Sequence, residues 1–213
     1  MAAVRRARRE RPGGSRWLRL RALLAGGLVL GVGGAVTLAA WNDSEYASST
    51  VTASTFGIEG SANGGPFAEH ATADGAAQLV FDPALPLLSP GQDGFLQFSV
   101  RTTTDATAGG AVSVQTPTLQ GSAELQGALE YAVRVMPDGS GCDAALFEGA
   151  GADVIVPNGT ALDATVPENA SELAPEAGNA VHYCVRISMI ADAGNEVQGE
   201  TLTATWQFLA ESA

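Results

Sequence analysis

Lysine is missing from this chain of 213 residues, and after position 40 the only cations are Arg101, Arg134 and Arg186, set against 22 Asp and Glu for a net charge of −19. Nucleic-acid binding needs a basic face for phosphate, so that class of partner is excluded. Solubility outside the cell, or attraction of cations, fits instead. Histidine is almost as scarce. His70 and His182 are the only two, and neither stands in a His-Glu-x-x-His string, which would set two zinc ligands one helical turn apart with a Glu to activate water. Cysteine is limited to Cys142 and Cys184, too few for a metal centre with two distant histidines. A Gly-x-Ser-x-Gly nucleophile elbow is lacking too. Carboxylates abound, but in so acidic a chain no pair stands out as catalytic. Beyond residue 40 no window repeats with the 3.6-residue period of an amphipathic helix.

The basic residues missing from the body are gathered at the start, where eight of the eleven Arg precede residue 40. They lead into an apolar run, Leu23 to Ala40, which ends in the small pair Ala39-Ala40 before polar Asn42-Asp43-Ser44-Glu45. That is the order of a secretory signal peptide: a positive segment stays inside, an apolar one enters the bilayer, and small residues admit the signal peptidase. The alternative is a permanent anchor, because about 18 apolar residues is the lower limit for a spanning helix. Gly26, Gly27, Gly31, Gly33 and Gly34 weaken the run as a helix, however, and no basic stop-transfer cluster follows. Cleavage is the preferred reading, with residues 1–40 as signal peptide and membrane contact only through an uncleaved leader. The exported remainder, about 170 residues, suffices for one domain with a real core. Outside the cell Cys142 and Cys184 read as a disulfide, whose closure of a loop of roughly 40 residues contributes about 4 kcal/mol on the chain-entropy model.

Alternation with period 2 organises the rest. Leu202, Ala204, Trp206 and Phe208 share one face of a strand from Thr201 to Phe208. Leu96, Phe98 and Val100 do so within Gly94 to Arg101, and Leu129, Tyr131, Val133 and Val135 within Ala128 to Val135. From Val181 to Ile190 the odd-numbered residues are apolar. Cys184 and His182 fall on the opposite side, which predicts a disulfide outside the main core. Shorter strands are expected at Ala77 to Phe81, Ala111 to Leu119 and Ala152 to Val156, and Thr50 to Ile58 is β-prone. Pro90-Gly91, Pro137-Asp138-Gly139, Pro157-Asn158-Gly159 and Ala193-Gly194-Asn195 supply turns. Ser61 to Gly75 and Pro157 to Ala180 read as surface loops, and Cys142 to Phe147 as one helical turn. The whole is an all-β chain, with a jelly-roll-like β-sandwich as first choice, behind a cleaved N-terminal signal helix. Its parts are a β-prone segment at 41–60 and the sandwich domain at 61–213.

The string Thr37-Leu38-Ala39-Ala40-Trp41-Asn42-Asp43-Ser44-Glu45 resembles the leader junction of the TasA/camelysin family of secreted proteins. Leu88-Ser89-Pro90-Gly91 before Phe95-Leu96-Gln97-Phe98, and the strand from Thr201 to Phe208, are similar to that family's Pro-Gly turn with its core strand and to its C-terminal strand. Together these cover about a third of the chain, and the cysteine pair has no counterpart in the likeness. The resemblance implies a SipW-type signal peptidase cutting between Ala40 and Trp41. A cut after Ala39, with Thr37 at the third position before it, is the alternative. It further implies an extracellular, cell-surface or biofilm-matrix structural protein that is not an enzyme and that self-associates by strand donation. The donor would be the segment after the cut, with Val51, Phe56 and Ile58 as its β-forming residues. An ordinary first strand folded on its own sheet satisfies the same edge equally well.

The camelysin branch implies a secreted metallo-endopeptidase as rival, and a monomeric surface-binding module is the third reading. Glu69-His70 reads as a solvated pair in a loop. Calcium is the metal ion best served, through the oxygens of Asp138, Ser140 and Asp143, but their spacing departs from an EF-hand and lacks its terminal bidentate Glu. A solvated turn with no cofactor is preferred. Asn158-Gly159-Thr160 and Asn169-Ala170-Ser171 fit the N-glycosylation pattern, which arises readily by chance in such loops.

Overall fold

In the acidic part of the chain, most segments where apolar and polar side chains alternate between turn residues form strands. The computed structural model describes residues 15–36, 43–81, 87–137 and 141–213. Two units divide the chain, Met1–Val51 and Thr52–Ala213. In the first, α1 (Ser15–Val36) carries exposed side chains from Arg16 to Val32, and residues 43–51 are exposed without regular secondary structure. Among the described residues no helix is long and apolar enough to cross a membrane.

The second unit is mostly β and wholly antiparallel. Its largest sheet holds β1 (Ile58–Ala62), β2 (Asp93–Thr102), β5 (Leu129–Met136), β6 (Asp153–Ala161) and β8 (Ala180–Met189), in the order β1-β2-β8-β5-β6. Two smaller sheets complete it. β3 (Gly110–Val114) lies between β10 (Phe208–Ser212) and β7 (Ser171–Leu173), and β4 (Thr118–Gly121) pairs with β9 (Leu202–Thr205). Short helices α2 (Ala123–Gly127) and α3 (Ala144–Phe147) are begun by the side chains of Ser122 and Asp143, which accept from Leu125 N and Leu146 N.

Register explains the main core. Leu96 faces Val185, which faces Val133, which faces Val156, so one row of buried aliphatics crosses four strands. The next row brings Phe98 to Tyr183 and Val135. The smaller sheets close over this face: the Phe208 ring stands 4.7 Å from Phe98 and 4.8 Å from Tyr183, and Val112, Val114 and Leu173 join the same core. Phe98 lies so close to Gly60 that an added Cβ would stand 2.3 Å from its ring, which is why β1 carries no side chain there.

Tyr183 is fully buried, and its hydroxyl donates to the Val112 carbonyl at 3.4 Å. Burial pushes its phenol from 10 up to about 12, against a lowering by the Ser171 hydrogen bond. A raised folded-state value favours the neutral form, so this stabilisation is complete below pH 10 and is lost as pH rises through about 12. A rise from 10 to about 12 corresponds to about 2–3 kcal/mol. Tyr183→Phe should therefore flatten most of the alkaline fall in denaturant midpoint. An unchanged fall would assign it to another group, such as Tyr131, whose phenol burial also raises.

The opposite face of the large sheet has a second, smaller core. Phe95, Ala132, Met136, Cys142, Phe147 and Cys184 pack there, and Cys142 and Cys184 form the expected disulfide. The alternation correctly puts the bridge away from the main core, yet it is buried under α3 rather than lying on the surface.

Several sequence expectations need correction. The strand expected from Ala111 to Leu119 is two, β3 and β4, broken where Pro117 removes a backbone donor. Its partner breaks in step, so Thr201 to Phe208 divides into β9 and the start of β10. Ala77 to Phe81 forms no strand, and in Thr50 to Ile58 only Ile58 enters one. Neither expected loop is wholly irregular. Ser61 and Ala62 belong to β1, β6 runs on past Pro157 to Ala161 by a bulge against β5, and β7 lies within 157–180. Of the turn Pro137-Asp138-Gly139, residues 138 and 139 fall outside the described residues.

Candidate functional site

A sheet edge is a row of backbone groups that need partners, so the use of each edge locates the reactive backbone of this fold. At β1 the outer edge is taken in part by Ala68, whose N–H and carbonyl each bond Gly60 at 2.9 Å. The other outer edge, β6, carries Pro157 and a bulge, two devices that resist addition of a strand. β7 is capped by Asn179, whose side chain donates to Glu172 O at 2.8 Å and accepts from Ala174 N at 2.6 Å. Asn169 serves β3 in the same manner, its amide accepting from Val114 N at 3.0 Å and donating to Val114 O at 3.1 Å.

The line formed by β9 and β10 is different. Gln207 O accepts from Gln115 N and Ala213 N donates to Gly109 O, so by the two-residue period Phe208, Ala210 and Ser212 turn their backbone groups away from β3. Thr201 O accepts from Ser122 N, which likewise turns Leu202 and Ala204 away from β4. Among the described residues no second strand pairs with either. The stretch from Thr201 to Ala210 contains no charge and no proline, and thus none of the usual protection of an edge.

Beneath this edge lies a cleft of about 1370 Å³, whose lining includes the apolar side chains of Leu96, Phe98, Ile187, Met189, Trp206 and Phe208. Trp206 Nε1 is buried there without a hydrogen-bond partner among the described residues. Ala77, Leu79 and Phe81, on the segment expected to be a strand, still alternate inward onto the core, with Gln78 and Val80 exposed. The segment borders the cleft as an extended strap tied by one side chain. Asn63 donates from Nδ2 to Gln78 O at 3.0 Å and accepts at Oδ1 from Val80 N at 3.1 Å.

Of the residues proposed as donor, Val51 is 90% exposed and lies outside any strand. Phe56 is half-buried, and Ile58 is paired with Thr102 within its own sheet. The free stretch is therefore shorter than 41–60. From Thr55 onward the chain is tied down, with Thr55 Oγ1 donating to Asp105 O at 2.6 Å and Thr55 N donating to Thr107 Oγ1 at 2.9 Å. Ala39, Ala40 and Trp41 lie outside the described residues, as do Asp138 and Ser140. Asp143, the third oxygen considered for calcium, caps α3 at 2.9 Å. His70 Nδ1 stands 3.3 Å from Gly75 O, and His182 Nδ1 stands 2.8 Å from the buried Ser99 Oγ. Among the described residues no group of three or more His, Cys, Asp or Glu is arranged to hold a metal ion.

Sequence reasoning missed the use made of the three arginines. Arg101 bonds Glu59 at 2.7 Å and lies over the Phe67 ring at 4.0 Å. Arg134 and Arg186 both reach Glu148, at 3.1 and 3.2 Å, and flank the ring of Phe147 at 4.4 and 5.5 Å. Arg134 also donates to the Phe147 carbonyl. These contacts clamp α3 over the second core. The alternation put Arg134 and Arg186 opposite the main core, but Glu148 follows a helical turn whose docking no local pattern announces. Comparison of the chain with protein-family models and with curated proteins found no match to either.

Proposed function

We propose that the chain is an exported structural protein of the TasA/camelysin type, found at the cell surface or in a biofilm matrix. Residues 1–40 are its signal peptide, removed between Ala40 and Trp41, and the β unit is a jelly-roll sandwich. Its copies join by strand donation: the segment at residues 43–54 of one copy adds to the line from Leu202 to Ser212 of the next. The reading assigns it no catalysis.

The observation that carries this reading is the outward backbone of Leu202, Ala204, Phe208, Ala210 and Ser212, which no second strand pairs among the described residues, above the cleft. The supply matches the demand. Residues 43–54 are exposed and outside regular structure, and twelve extended residues span about 40 Å at roughly 3.3 Å each, enough to cover eleven residues of edge. From Tyr46 to Ile58 there is no charge, although the chain around it is strongly acidic. Ala47, Val51 and Ala53 share one face and are small enough to enter a cleft already bordered by the strap. Backbone pairing gives such a joint affinity without special side chains.

Two variants of the exported chain test the proposal. Deleting residues 43–54 removes the donor. Ala210→Pro blocks the acceptor, and because the Ala210 N–H faces away from β3, the substitution spares the existing ladder. Both should sediment as monomers with unchanged far-ultraviolet circular dichroism, under conditions where the parent forms large assemblies. A parent that stays monomeric at high concentration would sink the reading. Assembly of Ala210→Pro at the parental rate would place the acceptor elsewhere.

A further inference from the structure

The sequence contains two Asn-Gly pairs, Asn63-Gly64 and Asn158-Gly159, and both are exposed. Glycine after asparagine leaves the next backbone nitrogen unshielded, which is the local requirement for loss of the side-chain amide. The two sites hold their asparagines differently. At Asn63 both amide atoms are engaged with the strap, and the backbone N–H donates to Gln97 O at 3.0 Å. Swinging the Asn63 Cγ onto Gly64 N would break both strap bonds. Asn158 sits in the bulge of β6, where residues 157–159 fall between the pairs Tyr131↔Thr160 and Val133↔Val156 and outside the ladder. Gly159 has φ +78°, and among the described residues Asn158 makes one side-chain bond, from Nδ2 to Glu148 Oε1 at 3.1 Å.

We infer that Asn158 is a site of spontaneous deamidation, and that the carboxylate formed there loosens the Arg134–Glu148–Arg186 clamp on α3. The Gly159 backbone nitrogen attacks Asn158 Cγ. The new N–Cγ bond forms as the Cγ–Nδ2 bond breaks, and ammonia leaves with the proton given up by the peptide nitrogen. Water then opens the cyclic imide at either carbonyl, leaving aspartate or its isoaspartyl isomer at 158. The donor that faced Glu148 Oε1 is thereby replaced by a negative charge. The same oxygen accepts from Arg186 Nη1 at 3.2 Å, while Glu148 Oε2 accepts from Arg134 Nη2 at 3.1 Å. Repulsion at Oε1 displaces Glu148, the carboxylate that bonds both guanidinium ions at the end of α3.

The test holds the full chain in mildly alkaline buffer and follows both asparagines by peptide mapping and mass spectrometry. Acid should accumulate at 158 several-fold faster than at 63. Equal rates, faster conversion at 63, or none at 158 would overturn the site. The consequence is tested by hydrogen exchange on Asn158→Asp and on the neutral control Asn158→Ser. The Leu146 and Phe147 amides, which bond Asp143 in α3, should exchange several-fold faster in the Asp variant than in the Ser variant. Equal exchange in the two variants would overturn the effect on the clamp.

Discussion

Replacing Cys142 and Cys184 together by Ala is expected to lower the unfolding free energy by about 4 kcal/mol, since the bridge closes a separation of 42 residues. The loss arises chiefly in the unfolded chain, which gains the freedom that the closed loop denied it. A second contribution comes from the native side, because Cys184 is fully buried and Cys142 nearly so, and their removal leaves space against Phe95 and Ala132. Urea unfolding of parent and variant should therefore show a much lower midpoint for the variant, with a slope equal to or above that of the parent, as an unlinked chain exposes more surface. Midpoints that coincide would mean that the clamp on α3 holds the loop without the bridge.

Phe147→Ala is expected to cost about 3–5 kcal/mol, the usual range for truncating a fully buried aromatic. Its ring lies in the second core, 5.6 Å from the Phe95 ring and with the guanidinium groups of Arg134 and Arg186 at 4.4 and 5.5 Å. Truncation leaves those cations over a void, held by Glu148, Asp93 and the backbone carbonyl of residue 147. The effect should not add to that of the cysteine replacement. Both act on the short path from Met136 to Ala152, so once the bridge is gone the helical turn has less to lose. A double-mutant cycle measured in urea should give a coupling of about 1 kcal/mol or more, the range for groups in contact. Strict additivity would show that bridge and ring stabilise separate structures.

The parts of the fold that were legible in the sequence are those where one residue type decides the face. β2, β5 and β8 follow from Leu96, Phe98 and Val100, from Leu129 to Val135, and from Val181 to Met189, because a one-residue slip would turn each set toward water. The same argument puts Cys184 opposite the core. It could not show that a second core waits there, because the covering residue, Phe147, comes from a different part of the chain. β3 and β4 show the reverse limit. Pro117 was visible as a residue without an N–H, but the matching break between Thr205 and Phe208 is imposed by the partner strand. The strap was misread for an instructive reason. Ala77, Leu79 and Phe81 do alternate, yet a strand also needs a neighbour, and here the side chain of Asn63 replaces one. Within the candidate edge, Leu202, Ala204, Trp206 and Phe208 were legible as a half-buried face. That their backbone lacks a second partner depends on sheet order, which alternation does not encode.

The different treatment of the edges has a consequence for dimensionality. With Pro157 and its bulge on one side of the large sheet and Ala68 against part of the other, lateral growth of that sheet is hindered at both ends. Copies joined through the edge formed by β9 and β10 would add in a single line, each joint made by one donor and one acceptor. The product would be a thread of intact domains with two unlike ends, able to lengthen by end addition and to come apart into folded subunits, rather than a lamina of stacked strands in which the domains lose their identity.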